Sequence, residues 1–394
     1  MKIVTVGIGQ CGCNIVDEFY AINNYAKSFL HRSIEIVTDA FAINTDEADL
    51  TGLRFVPKDK HHRIIIGTMK TFGHGVGKIN YEAALVMRGS YAAITDTILK
   101  SSKFHEADGI VVMASGGGGT GSGSIGWMIK GLKERTEKPV YAIVVLPFGF
   151  EEKGESSYAV TNTATSLKMV AQYSDAVFLL DNDRFGRMDV SISQNFRDMN
   201  REMVKNFYDL FCAGEEKKQK YIGSKVIDAG DIKQSLASIS AIGRGGINLF
   251  NLYHRKNENY REGVRESVSA AGALSQAENN LSLRIDLKDA RRILVLVSAP
   301  KEVLTLGLLQ EIFTYLQDKS PESIVRIGDY PHSEREFTVS LIASELTKVP
   351  RLENMYLLAE VQLKKGGDIR KETRQKIKEI YELSLNLPSL EYLE

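Results

Sequence analysis

The run of glycine, threonine and serine at 116–124 (GGGGTGSGS) follows an apolar stretch, Gly109 to Ala114, and opens onto a helix-like one, Ile125 to Leu132. Those residue types in that order suit phosphate. Glycines let the backbone approach an anion and turn N–H groups toward it, Thr120 and Ser122 add hydroxyl donors, and the following helix presents its positive end. A flexible linker of the same composition rarely sits between a buried strand and an amphipathic helix. A second stretch, Gly7-Ile-Gly9-Gln10-Cys11-Gly12, also joins an apolar run to a helix start and meets the glycine spacing of a dinucleotide-binding turn. Asp39 and Asp46 lie far enough downstream to serve as its ribose-binding acid, so an NAD-dependent oxidoreductase stays open at this loop. Gly73-His-Gly75-Val76-Gly77 is a third glycine-rich loop where a dinucleotide fold needs one. Three loops suit a triphosphate held from several sides. A P-loop is excluded, because Gly77-Lys78 has neither the required spacing nor a Ser or Thr after the lysine. Cys11 and Cys13 could supply half of a metal site, but no second pair of ligands accompanies them and His61-His62 sits in a polar stretch.

Strands and helices must hold those loops. Lys2 to Val6, Ile34 to Val37 and Ile64 to Ile66 read as strands, and Ile15 to Ala21 and Tyr81 to Leu99 as helices. Ile110 to Ala114, Val140 to Leu146 and Ala176 to Leu180 are apolar runs with few polar interruptions, as in strands covered on both faces. The fold class is therefore α/β, a mostly parallel sheet wrapped by helices, with ligands bound at the carboxyl ends of the strands. From Ser191 to Ala213, apolar residues Ile192, Phe196, Met199, Met203, Phe207 and Leu210 recur every three or four positions, which predicts a spine helix roughly 30 Å long. A second α/β segment follows, with strands at Arg292 to Val297, Ile324 to Ile327, Phe337 to Ala343 and Tyr356 to Val361, and a helix at Leu304 to Leu316. Asp368 to Leu387 reads as a charged amphipathic helix docked on that second segment. The domains are then a nucleotide-binding unit at 1–190, the spine helix at 191–214, a smaller α/β unit at 215–367, and a C-terminal helix and tail at 368–394.

Composition narrows the function classes. The chain has 394 residues and a 43% hydrophobic share, enough for two or more buried cores. Its 50 Lys and Arg balance 50 Asp and Glu, so no global positive field gathers nucleic acid or anionic lipid. No apolar run approaches the roughly 20 residues of a membrane span, and the start, MKIVTVG, is broken by glycine too early for a secretory signal. Three cysteines, an odd and sparse set, fit a reducing compartment, and the expectation is a cytoplasmic protein with no nucleic-acid partner and no membrane insertion.

Taken together, the loops resemble the tubulin/FtsZ superfamily of GTPases. GGGTGSG at Gly117 to Gly123 resembles the tubulin signature, and GIGQCGCNIV at Gly7 to Val16 combines the tubulin glutamine with the FtsZ asparagine. Asn44-Thr45-Asp46, Gly73 to Gly77, Pro147 to Glu151 and Leu180 to Asp183 resemble the second, third, fifth and sixth loops. Length and the mixed first loop are most similar to the archaeal CetZ group. The resemblance implies GTP or GDP with Mg2+ as ligands, held by Gly9, Gln10, Cys11, Asn14, Asp46, Gly75, Val76, Gly77, Gly117, Gly118, Gly119, Thr120, Gly121, Ser122 and Glu151, with Gln10 reaching the metal through water. Asn182, Phe196 and Asn200 would hold guanine, the last two sharing a helix face at a spacing of four. Val226-Ile-Asp228-Ala-Gly-Asp231 resembles the seventh loop, whose two acids reach the nucleotide of the next subunit. Asp228 and Asp231 stand at i and i+3, facing one side of a nascent helix turn, and are assigned that role; the alternative is N-capping of a helix at Ile232 to Ile239, and one residue could do both. Two positions depart from the FtsZ pattern, Val226 in place of an asparagine and Glu155 in place of an arginine, with Lys153 the nearest cation. The implied protein is a cytoskeletal GTPase that polymerises head to tail and hydrolyses GTP at the junction, serving cell shape or division. A GTP-binding scaffold with little hydrolysis is the alternative.

Overall fold

The computed structural model of the chain describes residues 1–28, 31–153, 158–187, 189–249 and 270–385. Strands β1 (Ile3–Ile8), β2 (Val37–Asn44), β3 (Arg63–Ile65), β4 (Gly109–Ser115), β5 (Val140–Leu146) and β6 (Ala176–Asp181) pair in parallel in the order β3-β2-β1-β4-β5-β6. Every residue of β1 and β5 is buried, which is why β5 reads as an apolar run rather than an alternating one. Helices α1 (Gly9–Lys27), α2 (Glu47–Thr51), α3 (Thr68–Thr71), α4 (Asn80–Leu99), α5 (Thr120–Lys133), α6 (Tyr158–Tyr173) and α7 (Asn182–Phe185) fill the crossovers. All strand-to-helix loops of this half therefore open at one edge, where β1, β4, β5 and β6 end.

Helix α8 (Ile192–Ala213) is the spine, started by Ser191, whose side chain accepts the N–H of Gln194. Met199, Met203, Phe207 and Leu210 of the expected stripe are buried, and Phe207 meets Phe178 edge-on at 5.1 Å and Phe19 at 5.9 Å. Phe196 leaves the stripe and stands 49% exposed; the side chain of Ile192 lies outside the described residues. Beyond the spine come α9 (Ala229–Ser235), β7 (Ser238–Asn248), α10 (Ala270–Asn279), β8 (Ala290–Ala299), α11 (Leu306–Lys319), β9 (Ile324–Pro331), β10 (Glu336–Leu346) and α12 (Pro350–Leu385). β7 joins β6 in parallel through Ala176 to Phe178, so one ten-stranded sheet runs on as β7-β10-β8-β9. Among the described residues no helix is long and apolar enough to cross a membrane.

Four expected elements change. The strand expected from Ile34 starts at Val37, because the Asn23 side chain takes the N–H groups of Ile36 and Val37 at 2.9 and 3.0 Å. The helix expected to reach Ile239 ends at Ser235: Ala237 donates to Ser344 Oγ, Ser238 adopts a positive φ of 50°, and Ile239 pairs with Val177. Tyr356 to Val361 is helix, not strand. It lies inside α12, where buried Leu352, Met355 and Ala359 recur at helical spacing and face α6. Finally, Asp368 does not begin a helix but continues α12; of its expected docking face, the side chains of Asp368, Ile369, Ile377, Ile380 and Leu383 lie outside the described residues.

Candidate functional site

Two helices start where the strand ends converge, and neither is capped. α1 begins at Gly9 with Ile8 as N-cap, α5 at Thr120 with Gly119; neither N-cap supplies a side-chain bond, and neither first turn holds an acid. Their first N–H groups are left for a ligand, with the positive ends of both dipoles behind them. Gly9 sits at φ +70°, and a Cβ added to it would lie 2.9 Å from the Gly121 nitrogen, so only glycine lets the two helix starts come together.

The cleft between them measures about 1040 Å³. It is lined by Gly9, Gln10, Cys11, Asn14, Asp46, Gly75, Gly117, Gly118, Gly119, Thr120, Gly121, Glu151, Asn182, Phe196 and Asn200, which the sequence scattered over nearly 200 positions. Val76, Gly77 and Ser122 do not line it. The Ser122 hydroxyl is spent on the carbonyls of Gly118 and Gly119, which shapes the loop but leaves no donor for a ligand. Asp228 and Asp231 are absent from the cleft altogether.

Side chains from elsewhere hold each loop. Asn162 of α6, 2% exposed, donates to the carbonyls of Lys78 at 2.9 Å and Gly118 at 3.1 Å, pinning the third loop to the Gly116 to Gly119 loop. Thr45 and Thr120 share a hydroxyl hydrogen bond of 2.7 Å. Asp46 caps α2, and Asp49 one turn on accepts from Gln10 at 2.8 Å and Asn44 at 2.9 Å. Burial, aided by the neighbouring charge of Asp46, raises the Asp49 pKa. Arg351 of α12 grips Glu152 through both terminal nitrogens at 2.8 and 2.6 Å, Asp181 at 3.1 Å and the Pro147 carbonyl at 3.0 Å, tying the fifth and sixth loops together. At the far side of the cleft Phe196 and Phe148 lean together with ring centroids 6.3 Å apart. Cys11 lies between the two ends; burial, then Glu151, push its thiol up to about 12, so it is a neutral packing group.

Sequence reading missed Asp49, Asn162 and Arg351, which are single polar residues outside any glycine-rich pattern, and weighed Lys78 only as part of a P-loop. It also left Asp39 open as a ribose acid. The structure turns Asp39 away, to Ser101 and to His62 Nε2 at 3.1 Å. Cys13 is buried against the carbonyls of Gly7 and Ile43, and among the described residues no cluster of three His, Cys, Asp or Glu could hold a metal ion. Glu155 lies outside the described residues.

The two acids sit at the opposite end of the spine. Phe196 and Asn200 belong to the first turns of α8, whereas a Cβ added to Gly214, just past its end, would lie 3.1 Å from the Asp228 Cα. Twenty-two helical residues span about 33 Å. The acids cap α9 reciprocally: Asp228 Oδ1 accepts the Asp231 N–H at 2.9 Å, and Asp231 Oδ2 accepts the Asp228 N–H at 3.3 Å. The capping role expected as one of two alternatives is therefore present.

A parallel sheet, phosphate-type loops at its carboxyl edge and a long helix leading to a second α/β segment define the tubulin/FtsZ type of nucleotide-binding protein, and residues 2–189 match the Tubulin/FtsZ family GTPase domain. Residues 189–360 match the C-terminal domain of tubulin-like CetZ proteins. The chain is 30% identical over 355 residues to the tubulin-like protein CetZ5 of Haloferax volcanii, covering 85% of each. It superposes with a TM-score of 0.77 on the GDP-bound CetZ1 monomer from the same organism, at 26% identity over 92% of this chain and 100% of that one. With the GTPγS-bound protofilament of its CetZ2 the TM-score is 0.79, at 26% identity, 93% of this chain and 100% of the other. The chain belongs to the tubulin-like CetZ family of cytoskeletal GTPases.

Proposed function

We propose that the chain binds GTP in the cleft and assembles head to tail in the cytoplasm, each subunit bringing Asp228 and Asp231 to the nucleotide of its neighbour, where GTP is hydrolysed. One observation carries this reading: cleft and acids lie at opposite ends of a helix about 33 Å long, too far apart to meet within one chain, which supports a meeting between stacked copies. A contact between unlike ends does not close on itself, so it propagates as a filament. The CetZ2 relative forms a protofilament with GTPγS bound.

The roles follow from the chemistry. The uncapped starts of α1 and α5 and the hydroxyl of Thr120 neutralise the phosphates. Phe196 stacks on guanine, and the amides of Asn182 and Asn200 read its polar edge. Asp46 and Asp49 bring two carboxylates beside the phosphate loops, with the Gln10 amide held to Asp49 through its Nε2, and such oxygen donors fit Mg2+, which keeps several waters and takes few protein ligands. When bound, the metal would offset charge on the β- and γ-phosphates. The neighbour's Asp228 and Asp231 orient the attacking water. In this scheme residues 1–190 form the nucleotide unit and 215–367 the unit that completes it.

The scaffold alternative has one observation in its favour: Val226, 40% exposed, offers no polar group where the FtsZ pattern has an asparagine. Phosphate release measured across protein concentration, with light scattering and with GTP and magnesium, decides between them. Turnover per subunit should rise above an assembly threshold and fall to a small but measurable residue in Asp231→Ala, which should still bind GTP and assemble. A rate per subunit that is flat with concentration refutes the shared site, and normal GTP affinity with no turnover at any concentration selects the scaffold.

A further inference from the structure

The loop that carries Asp228 and Asp231 is gripped on both sides by a single strand of the second segment, β9. On the upstream side, the Asp329 carboxylate, 6% exposed, accepts the N–H groups of Ser224 at 2.9 Å and Lys225 at 2.5 Å, and the Asp329 N–H returns a bond to the Lys225 carbonyl at 3.0 Å. On the downstream side stands Arg326, three residues earlier on the same strand. All three guanidinium nitrogens face α9: Nε lies 3.7 Å from Asp231 Oδ1, Nη1 donates to Ser235 Oγ at 3.1 Å, and Nη2 donates to Gln234 Oε1. Arg292 of the adjoining β8 donates to the Gln234 carbonyl at 2.6 Å and to Glu345 at 2.7 Å, fixing the end of the same short helix.

The two acids are not held alike. Asp231 has Oδ2 in the reciprocal cap with Asp228 and Oδ1 turned to Arg326. Asp228 spends Oδ1 on the cap. Both acids lie on a helix of only seven residues, which has too few internal hydrogen bonds to hold its first turn rigid unaided. Outside anchors must do so.

We propose that Arg326 is a positioning residue for catalysis: it orients Asp231, and through the cap Asp228, toward the nucleotide of the next subunit. The assignment rests on the shared-site reading. Arg326 is fitted to this because its planar fork can engage Asp231, Gln234 and Ser235 at once, whereas a lysine offers one compact charge. Displacing a catalytic group by about 1 Å can cost about a hundredfold in rate, so loosening this anchor is visible in turnover before it is visible in binding.

The experiment uses the full chain and compares Arg326→Ala, Arg326→Gln, Arg326→Lys, Asp231→Ala and the Asp231→Ala/Arg326→Ala double variant. Turnover is read by phosphate release above the assembly threshold, GTP affinity on dilute subunits, and assembly by light scattering with GTPγS. Arg326→Ala and Arg326→Gln should lower kcat at least tenfold, with the KM for GTP and the GTPγS assembly threshold within twofold of the unaltered chain. Arg326→Lys should recover part of that loss, and the double variant should be no slower than Asp231→Ala alone. Unchanged kcat in Arg326→Gln overturns the proposal, as does equal loss in the Gln and Lys variants; these two decide it if Arg326→Ala does not fold. A further loss in the double variant means that Arg326 touches the phosphates itself, and a raised assembly threshold means that it is an interface contact; either sinks the positioning role. If Asp231→Ala retains full turnover, the shared-site reading falls first and this one with it, whereas loss in Asp231→Ala with none in Arg326→Gln removes Arg326 alone.

Discussion

Asp209 offers the sharpest test of how the three parts of the chain are held together. It sits on the spine helix at 2% exposure, ion-paired with Arg32 Nη2 from the parallel half at 3.0 Å, and its Oδ2 accepts from Arg244 Nη2 of β7 at 3.3 Å and Thr338 Oγ1 of β10 at 3.4 Å. Arg32 is 6% exposed and its guanidinium also lies over the rings of Tyr208 at 4.6 Å and Tyr330 at 4.9 Å. Burial alone would raise the carboxyl's pKa; Arg32, then Arg244, outweigh it and hold it at about 2, against an ordinary 3.8. That difference corresponds to about 2 kcal/mol. Asp209→Asn keeps the volume but leaves two guanidiniums facing a neutral amide, a change that in buried pairs costs about 3–5 kcal/mol. The expected loss is therefore about 3 kcal/mol at pH 7, read by urea unfolding, with a fall of about 4 °C in the thermal midpoint of a chain this long. The folded pKa lies below the unfolded one, so this stabilisation is complete above about pH 3.8 and is lost as pH falls toward 2; the gap between the two proteins should close over that window. A loss under about 1 kcal/mol at pH 7 would refute the reasoning, because it would mean that the half-exposed Glu334 and Glu336, each 3.4 Å from one of the arginines, already satisfy them.

Other outcomes are expected at single residues. Phe196→Ala should weaken guanine nucleotide binding by about 5- to 150-fold, the range for losing one base–aromatic stack, in a fluorescence titration; unchanged affinity would put the base elsewhere. Gly119→Ala should abolish nucleotide binding, since its Cβ would meet Val76 Cγ2 at 2.7 Å and the Lys78 Cα at 2.9 Å and force the third loop off the phosphate loop. Affinity within twofold of the unaltered chain would count against that contact. Burial lowers the pKa of His332, beside Asp209 and Arg32, below its unfolded value near 6.5. Stability from the neutral ring is thus full above about pH 6.5 and declines as pH falls below it, and His332→Gln should flatten the stability profile between pH 7 and 5; an unaltered slope would exclude His332 as its source.

The glycine-rich loops were legible because glycine spacing between an apolar run and a helix start is a local property, and fifteen of the expected ligand residues line one cleft. Six residues such as Tyr356 to Val361 carry too little periodicity to separate strand from helix, and the buried side of α12 became visible only against α6. Asn162, Asp49 and Arg351 reach the site from distant positions, and nothing in their own neighbourhoods marks them. Ser122 has the composition of a ligand residue, yet a helix start lets its hydroxyl fold back on the preceding carbonyls.

What the chain order alone determined is local: which runs extend, which coil, and where the backbone must be bare enough to meet phosphate, because φ preference and apolar period act over a few residues. Distance was decided elsewhere. That Asp228 and Asp231 face away from the cleft depends on a packed helix of 22 residues standing rigid between them and on a sheet continuing from β6 into β7. Such spacing arises from packing between segments remote in sequence, and it is the ground on which the proposed function gives the cleft a second copy.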